Sequence, residues 1–265
     1  MTLYPPNQLK RLLAERMPAL GYWLSTNSLM VTEIAAGAGW DWLLLDMEHA
    51  LHDVESVERH VLAASHAGTS TELAVRIPSV DPVLVKRLLD AGVRSFMFPY
   101  VQTVEEARLA VASTRYPPAG IRGFSGSTRA NHYGKDKSYL ETYADNICVI
   151  IQIETPQAVA NIPAFGAIDG VDAMLIGPND LAANLGHLGD NRHPEVMATI
   201  EAAGRAMIAT GKAAGFLFFD ERAPLLIDQG FTLAAVAGDI HMLSTTMAAQ
   251  LKTPALRSAC RSSRR

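Results

Sequence analysis

The stretch DWLLLDMEHA (41–50) decides the fold. Residues 42–45 are apolar without alternation, the pattern of a strand buried on both faces. The run stops at Asp46 and then delivers Glu48 and His49, so its C-terminal end is polar while its body is not. A segment of helical period follows, from Asp53 to His66. Strand, polar end, helix: this is one unit of a parallel sheet whose crossovers are helices.

The unit repeats in both directions along the chain. GYWLS (21–25) precedes SLMVTEIAAGA (28–38), and TELAVRI (71–77) precedes a helix beginning near Asp81, with Pro82 at its first turn, where a missing N–H costs nothing. SFMFPY (95–100) precedes TVEEARLAVAST (103–114), in which Thr103 and Glu106 have capping-box spacing. ICVIIQI (147–153) runs into a helix start at Thr155-Pro156. AMLIGP (173–178), AAGFLFF (213–219) and TLAAVA (232–237), each followed by a helical segment, complete the series. Eight such units match the usual size of a single α/β domain folded as a (β/α)₈ TIM barrel. A doubly wound open sheet competes, but the count is eight and no glycine-rich fingerprint follows the first strand. The barrel is expected over 1–252. Residues 116–146 form a connection too long for a simple turn, and read either as a lid on the site or as a contact between subunits.

Composition narrows the partners. The chain has 265 residues, 49% hydrophobic, with 23 Lys+Arg against 27 Asp+Glu and a net charge of −4. That describes a folded domain with no basic excess for nucleic acid. The stretch 257–265, RSACRSSRR, holds four arginines, and without it the body carries −8. The basic end, 253–265, reads as a solvated, frayed tail. No apolar run approaches the ~20 residues of a membrane helix, and the N-terminus lacks a secretory h-region. Two cysteines make no disulfide framework, with Cys148 inside an apolar strand and Cys260 in the tail. A cytoplasmic protein is expected.

In a barrel of this kind the chemistry lies at the C-terminal ends of the strands. Strand two ends in Asp46, Glu48 and His49, strand three in Arg76, strand five in Gln152 and Glu154, and strand six in Gly177-Pro178-Asn179-Asp180. Singly each has a plain explanation: Arg76 as an ion-pair partner, His49 as a structural imidazole, Glu154 and Asp180 as acids complementing helix dipoles. Together they place two acids suited to hard cations, an imidazole and a guanidinium at one mouth.

LLLDMEHA (43–50), RYPPAGIRG (115–123), VIIQIET (149–155) and LIGPNDLA (175–182) resemble, in order, the motifs of the HpcH/HpaI family of metal-dependent (class II) pyruvate aldolases. The likeness runs from about Gly21 to Leu251. It implies a TIM barrel, a divalent metal (Mg²⁺, Mn²⁺ or Co²⁺), and a homohexamer whose C-terminal helices exchange between subunits. It implies Glu154 and Asp180 as metal ligands. Gln152, Gly177, Asn179, Asp180 and Arg76 would contact substrate, with the carboxylate held by the amides of Asn179 and Asp180. The family usually has Ala where this chain has Asn179, a change of little consequence for a backbone contact. His49 matches the catalytic base, and Asp90 an acid that raises its basicity, reaching a neighbouring subunit's site. Asp46, three residues before His49, is a further candidate to orient it. Arg76 matches the residue that stabilises the transition state.

The implied reaction is reversible cleavage of a 4-hydroxy-2-oxo acid to pyruvate or hydroxypyruvate and an aldehyde. A base takes the C4 hydroxyl proton, the C3–C4 bond breaks, and charge moves onto the 2-oxo oxygen as an enolate that a Lewis acid stabilises. The alternatives are a CoA-thioester lyase of the citryl/malyl-CoA type, for which no basic cluster is evident, and a barrel that only binds oxo acids. A Schiff-base route is disfavoured, since Lys10, Lys86, Lys135, Lys137, Lys212 and Lys252 all avoid strand C-terminal ends.

Overall fold

Eight parallel strands close on themselves in chain order in the computed structural model, which describes residues 5–253. The first half runs α1 (Gln8–Ala14), β1 (Ala19–Leu24), α2 (Leu29–Gly37), β2 (Trp42–Asp46), α3 (Val54–His66), β3 (Glu72–Arg76), α4 (Pro82–Asp90), β4 (Ser95–Phe98) and α5 (Val104–Thr114). After a short α6 (Tyr139–Thr142) come β5 (Cys148–Ile153), α7 (Pro156–Gly166), β6 (Ala173–Ile176), α8 (Pro178–Asn184), α9 (Pro194–Ala209), β7 (Ala213–Leu217), α10 (Arg222–Asp228), β8 (Leu233–Gly238) and α11 (Asp239–Leu251). The expected (β/α)₈ barrel is therefore present, with each strand inside or within two residues of its sequence segment. The basic stretch 254–265, Cys260 included, lies outside the described residues. Among the described residues no helix is long and apolar enough to cross a membrane.

Local signals explain the helix starts. Thr103 and Glu106 close the expected capping box, Glu106 N–H donating to Thr103 Oγ1 at 3.2 Å and Thr103 N–H to Glu106 Oε2 at 3.0 Å. Asp53 and Ser56 do the same for α3, and Asp81 caps α4 ahead of Pro82.

Alternate residues of each strand face the barrel axis. Trp23, Trp42, Leu44, Ala74, Met97, Cys148, Ile150, Leu175 and Leu233 fill the interior, while the opposite faces pack on the helices. Trp42 is fully buried and donates its indole N–H to Ala19 O at 3.1 Å. Gly21 makes that possible, because a Cβ there would fall 2.1 Å from the indole. At the N-terminal end of the barrel α1 forms a floor: Leu9 and Leu13 join the interior cluster, and Lys10 Nζ reaches Asp172 Oδ1 at 2.8 Å and Ile147 O at 2.7 Å. The C-terminal end of the barrel carries the strand-end residues Asp46, Arg76 and Glu154.

The connection over 116–146 joins the end of α5 to the start of β5, which places it at the N-terminal end of the barrel, away from its own mouth. It is no lid on this chain's site. It is tied down there by Arg122, fully buried, whose guanidinium meets Asp90 Oδ1 at 2.9 Å and Tyr139 Oη at 3.0 Å and stacks 4.4 Å above the Tyr116 ring.

Candidate active site

Strand register builds the centre of the site. Asp46 of β2 pairs in register with Arg76 of β3, and the inward series Trp42, Leu44, Asp46 and Glu72, Ala74, Arg76 point both side chains into the barrel. The result is a two-pronged ion pair, Arg76 Nε to Asp46 Oδ1 at 3.0 Å and Nη2 to Oδ2 at 2.7 Å. Trp23 adds its indole N–H to Oδ2 at 3.3 Å, and its ring lies 4.7 Å from the guanidinium carbon. Burial alone would raise the Asp46 pKa. The hydrogen bonds and charge of Arg76, with two backbone amides, outweigh it and hold the carboxyl below its ordinary value.

Those amides belong to Glu48 and His49, which donate to Asp46 Oδ1 at 3.0 and 3.3 Å. Asp46 therefore meets His49 through the backbone of the turn rather than through the imidazole. The ring itself projects into the mouth, with 65% of the side chain exposed. Glu48 lies between the two, 3.0 Å from Arg76 Nη1 and 3.8 Å from His49 Nε2. Desolvation raises its pKa, opposed by Arg76 and His49 and assisted by Asp46 and Asp180. Glu48 is the strand-end residue to which sequence reasoning gave no role. The signal was available: it continues the inward alternation of Trp42, Leu44 and Asp46 by one more step.

The turn after β2 is also fastened from behind. Asn27 Nδ2 donates to Leu51 O at 3.3 Å, and Asn27 Oδ1 faces His60 Nε2 at 3.1 Å. His60 Nδ1 meets Thr32 Oγ1 at 2.7 Å, within a fully buried position on α3. The amide oxygen can only accept, so His60 carries its proton on Nε2 and takes the threonine hydroxyl on Nδ1. Desolvation, with the neighbouring His52, depresses its pKa to about 4.

On the far side of the mouth, Glu154 follows β5 and is 2% exposed. Its Oε2 accepts the Tyr100 N–H at 2.7 Å, donated from a residue at φ +53°. Desolvation is the largest influence on this carboxyl and the Asp180 and Glu48 charges add to it, so its pKa is pushed up to about 7 despite the Tyr100 bond. Gly177, after β6, leaves the space the carboxylate occupies. Asp180 lies in the first turn of α8, one residue beyond the exposed Asn179. Gln152, 1% exposed, leaves Oε1 buried without a hydrogen-bond partner.

This donor set fits a hard divalent cation. Burial and the nearby Asp180 and Glu48 charges make Glu154 costly to ionise, a cost that a bound positive charge relieves, and the carboxylate and amide ligands on offer are all oxygen. The orphaned Gln152 oxygen likewise lacks a donor that a bound molecule would supply. Asp46, Glu48, His49, Arg76, Gln152, Glu154, Gly177, Asn179 and Asp180 thus collect at the C-terminal ends of β2, β3, β5 and β6. Asp90 does not. It ends α4, at the other end of the barrel, bound to Arg122.

The chain is similar to known proteins over most of its length. The HpcH/HpaI aldolase/citrate lyase family matches residues 19–245. A 5-keto-4-deoxy-D-glucarate aldolase of Escherichia coli K12 is 42% identical over 236 residues, 89% of this chain and 91% of that protein. Among solved structures, an HpcH/HpaI aldolase/citrate lyase family protein from Burkholderia cenocepacia J2315 superposes with a TM-score of 0.90 at 39% identity, covering 93% of this chain and 98% of the other. An HpcH/HpaI aldolase from Desulfitobacterium hafniense DCB-2 gives 0.83 at 33% identity, covering 92% and 95%.

Proposed function

The chain belongs to the HpcH/HpaI aldolase/citrate lyase family, whose aldolases are metal-dependent carbon–carbon lyases, and from that premise we propose a division of labour among its residues and a substrate. The substrate is a 4-hydroxy-2-oxo acid, with 5-keto-4-deoxy-D-glucarate the first to try. Numbered from its oxo end, that molecule has a carbonyl at C2, a methylene at C3 and a hydroxyl at C4. Cleavage between C3 and C4 releases pyruvate and a three-carbon aldehyde acid.

His49 is the base. Its exposed imidazole, carried on a turn that Asp46 holds rigid, accepts the C4 hydroxyl proton as the bond breaks. Arg76 is fixed by Asp46 through two of its nitrogens, leaving guanidinium N–H groups to donate toward the charge that develops on the 2-oxo oxygen. Gln152 contacts the substrate through its amide, and the amides of Asn179 and Asp180, beside Gly177, receive the 2-oxo acid's carboxylate. Glu154 and Asp180 would hold a divalent ion, Mg²⁺, Mn²⁺ or Co²⁺. Such an ion, when bound, supplies Lewis acidity worth several kcal/mol to the same developing charge.

The observation that carries this reading is the carboxylate of Glu154, set against Gly177 and made costly to ionise first by its burial and then by the Asp180 and Glu48 charges. Pyruvate release from 5-keto-4-deoxy-D-glucarate, followed with and without EDTA and then with added Mn²⁺ or Mg²⁺, tests it. Turnover that survives complete metal removal would overturn the assignment of Glu154 and Asp180.

The working form is proposed to be a homohexamer. Ile240, Met242, Leu243, Met247 and Leu251 are exposed along α11, supporting a role for that helix between subunits. Asp90 serves His49 of a neighbouring subunit in this reading, since it faces away from its own mouth.

A further inference from the structure

Beyond the β6 strand end, the loop 185–193 links α8 to α9 along the rim of the mouth. Two imidazoles on it stack on each other, His187 and His193, with ring centroids 3.5 Å apart and planes 16° from parallel. Glu195, in the first turn of α9, completes a cluster in which one donor atom from each residue lies within 4.8 Å of the others. We propose that His187, His193 and Glu195 form a second divalent-metal site, suited to a borderline ion such as Zn²⁺ or Ni²⁺, that clasps this loop to the start of α9.

The donor chemistry separates this site from the first. Two imidazoles and one carboxylate suit zinc or nickel, whereas Glu154 and Asp180 offer only oxygen. His187 Nε2 already meets Glu195 Oε2 at 2.9 Å, so an ion bridging them takes the place of a shared proton. His193 Nδ1 accepts the Glu195 N–H at 3.3 Å, a long bond at a solvent-facing helix start, which the ion replaces with a stronger one. Donors around a tetrahedral ion with bonds of about 2.1 Å stand roughly 3.4 Å apart. Near-parallel rings cannot both aim an in-plane nitrogen at one ion, so binding requires the two imidazoles to unstack by turning about their own side-chain bonds, and open positions remain for water.

The clasp has a structural consequence for the mouth. Asn191, inside the loop, donates to Asn179 Oδ1 at 2.7 Å, and Arg222 Nη1 holds Asn191 Oδ1 at 2.9 Å. Arg192 reaches Asp220 at 2.8 Å and Glu221 at 2.7 Å. Fastening residues 187 and 193 to Glu195 therefore fixes the loop that steadies Asn179, the neighbour of Asp180.

The test is the number of zinc ions retained per chain after equilibrium dialysis at low micromolar Zn²⁺, for the wild type, His187→Gln and His193→Asn. Asparagine preserves the helix cap, so the second variant keeps its fold. The Glu154 and Asp180 site is the same in all three proteins and cancels from the comparison. The proposal expects one ion fewer in each variant, with affinity at that site reduced more than about tenfold. It also expects zinc to slow amide exchange over 187–193 in the wild type alone. Equal stoichiometry in all three proteins would show that the cluster binds a proton only. Loss in one variant but not the other would overturn the three-ligand assignment.

Discussion

Gly177 and Glu154 stand so close that a Cβ on the glycine would lie 2.3 Å from Oε1 of the carboxylate. The glycine has φ −89°, so alanine meets no backbone strain there and the conflict is with the side chain alone. Gly177→Ala is expected to keep the fold and its circular dichroism while displacing Glu154. Metal-dependent turnover and Mn²⁺ affinity should each fall at least about tenfold. Unchanged Mn²⁺ affinity in the variant would mean that Glu154 is no ligand.

His49→Ala should lower kcat by about 10²–10⁴, the usual contribution of a positioned base. The side chain is largely exposed and supports no packing, so thermal stability should stay near that of the wild type. Steady-state kinetics beside a melting curve checks both halves. A variant with normal kcat would move the role of base to another group.

Asp46→Ala removes one partner of a buried pair and leaves the Arg76 charge uncompensated, a change that costs about 3–5 kcal/mol. It also frees the amides of Glu48 and His49, so activity should fall along with stability. Urea unfolding measures the first effect and kcat the second. Full stability in Asp46→Ala would show that the ion pair contributes less than its geometry suggests.

The pH dependence of stability should carry the signature of His60. Its folded pKa, about 4, lies below the ordinary histidine value of 6.5, so the neutral form is favoured in the native state. A depressed pKa on a base gives stability that is fully present above 6.5. That stability is lost as pH falls from 6.5 toward 4, where the unfolded chain binds the proton first. The loss is at most about 3 kcal/mol. His60→Gln, which cannot take the proton, should flatten this part of the curve relative to the wild type. Identical slopes over that window would assign the acid lability to other groups.

Particular residues show how far the sequence could be read. The two-sided apolar runs marked all eight strands, because short runs bounded by turn signals and alternating with helical segments fit a buried parallel sheet. Asp46, His49, Arg76, Gln152, Glu154 and Asp180 were legible as strand-end residues for the same reason. What linear reading could not supply was register. Only the pairing of β2 with β3 shows that Asp46 grips Arg76, and that it reaches His49 through the backbone. Glu48 was seen at the strand end but given no role between two more conspicuous neighbours. The 116–146 connection was read as either a lid or a subunit contact because loop length carries no information about which end of a barrel a loop occupies. Counting the order of elements does: every strand-to-helix connection lies at the mouth, and every helix-to-strand connection at the floor.

That floor divides the molecule by purpose. α1, Trp42 and the Lys10–Asp172 pair seal the barrel at one end, and the proposed reacting groups gather at the other, with a layer of packed apolar side chains between. Substitutions that tighten the sealed end leave the open end untouched. An engineer, or natural selection, can therefore make this enzyme hardier from below while retuning its choice of aldehyde from above, and the two sets of changes should combine without interfering.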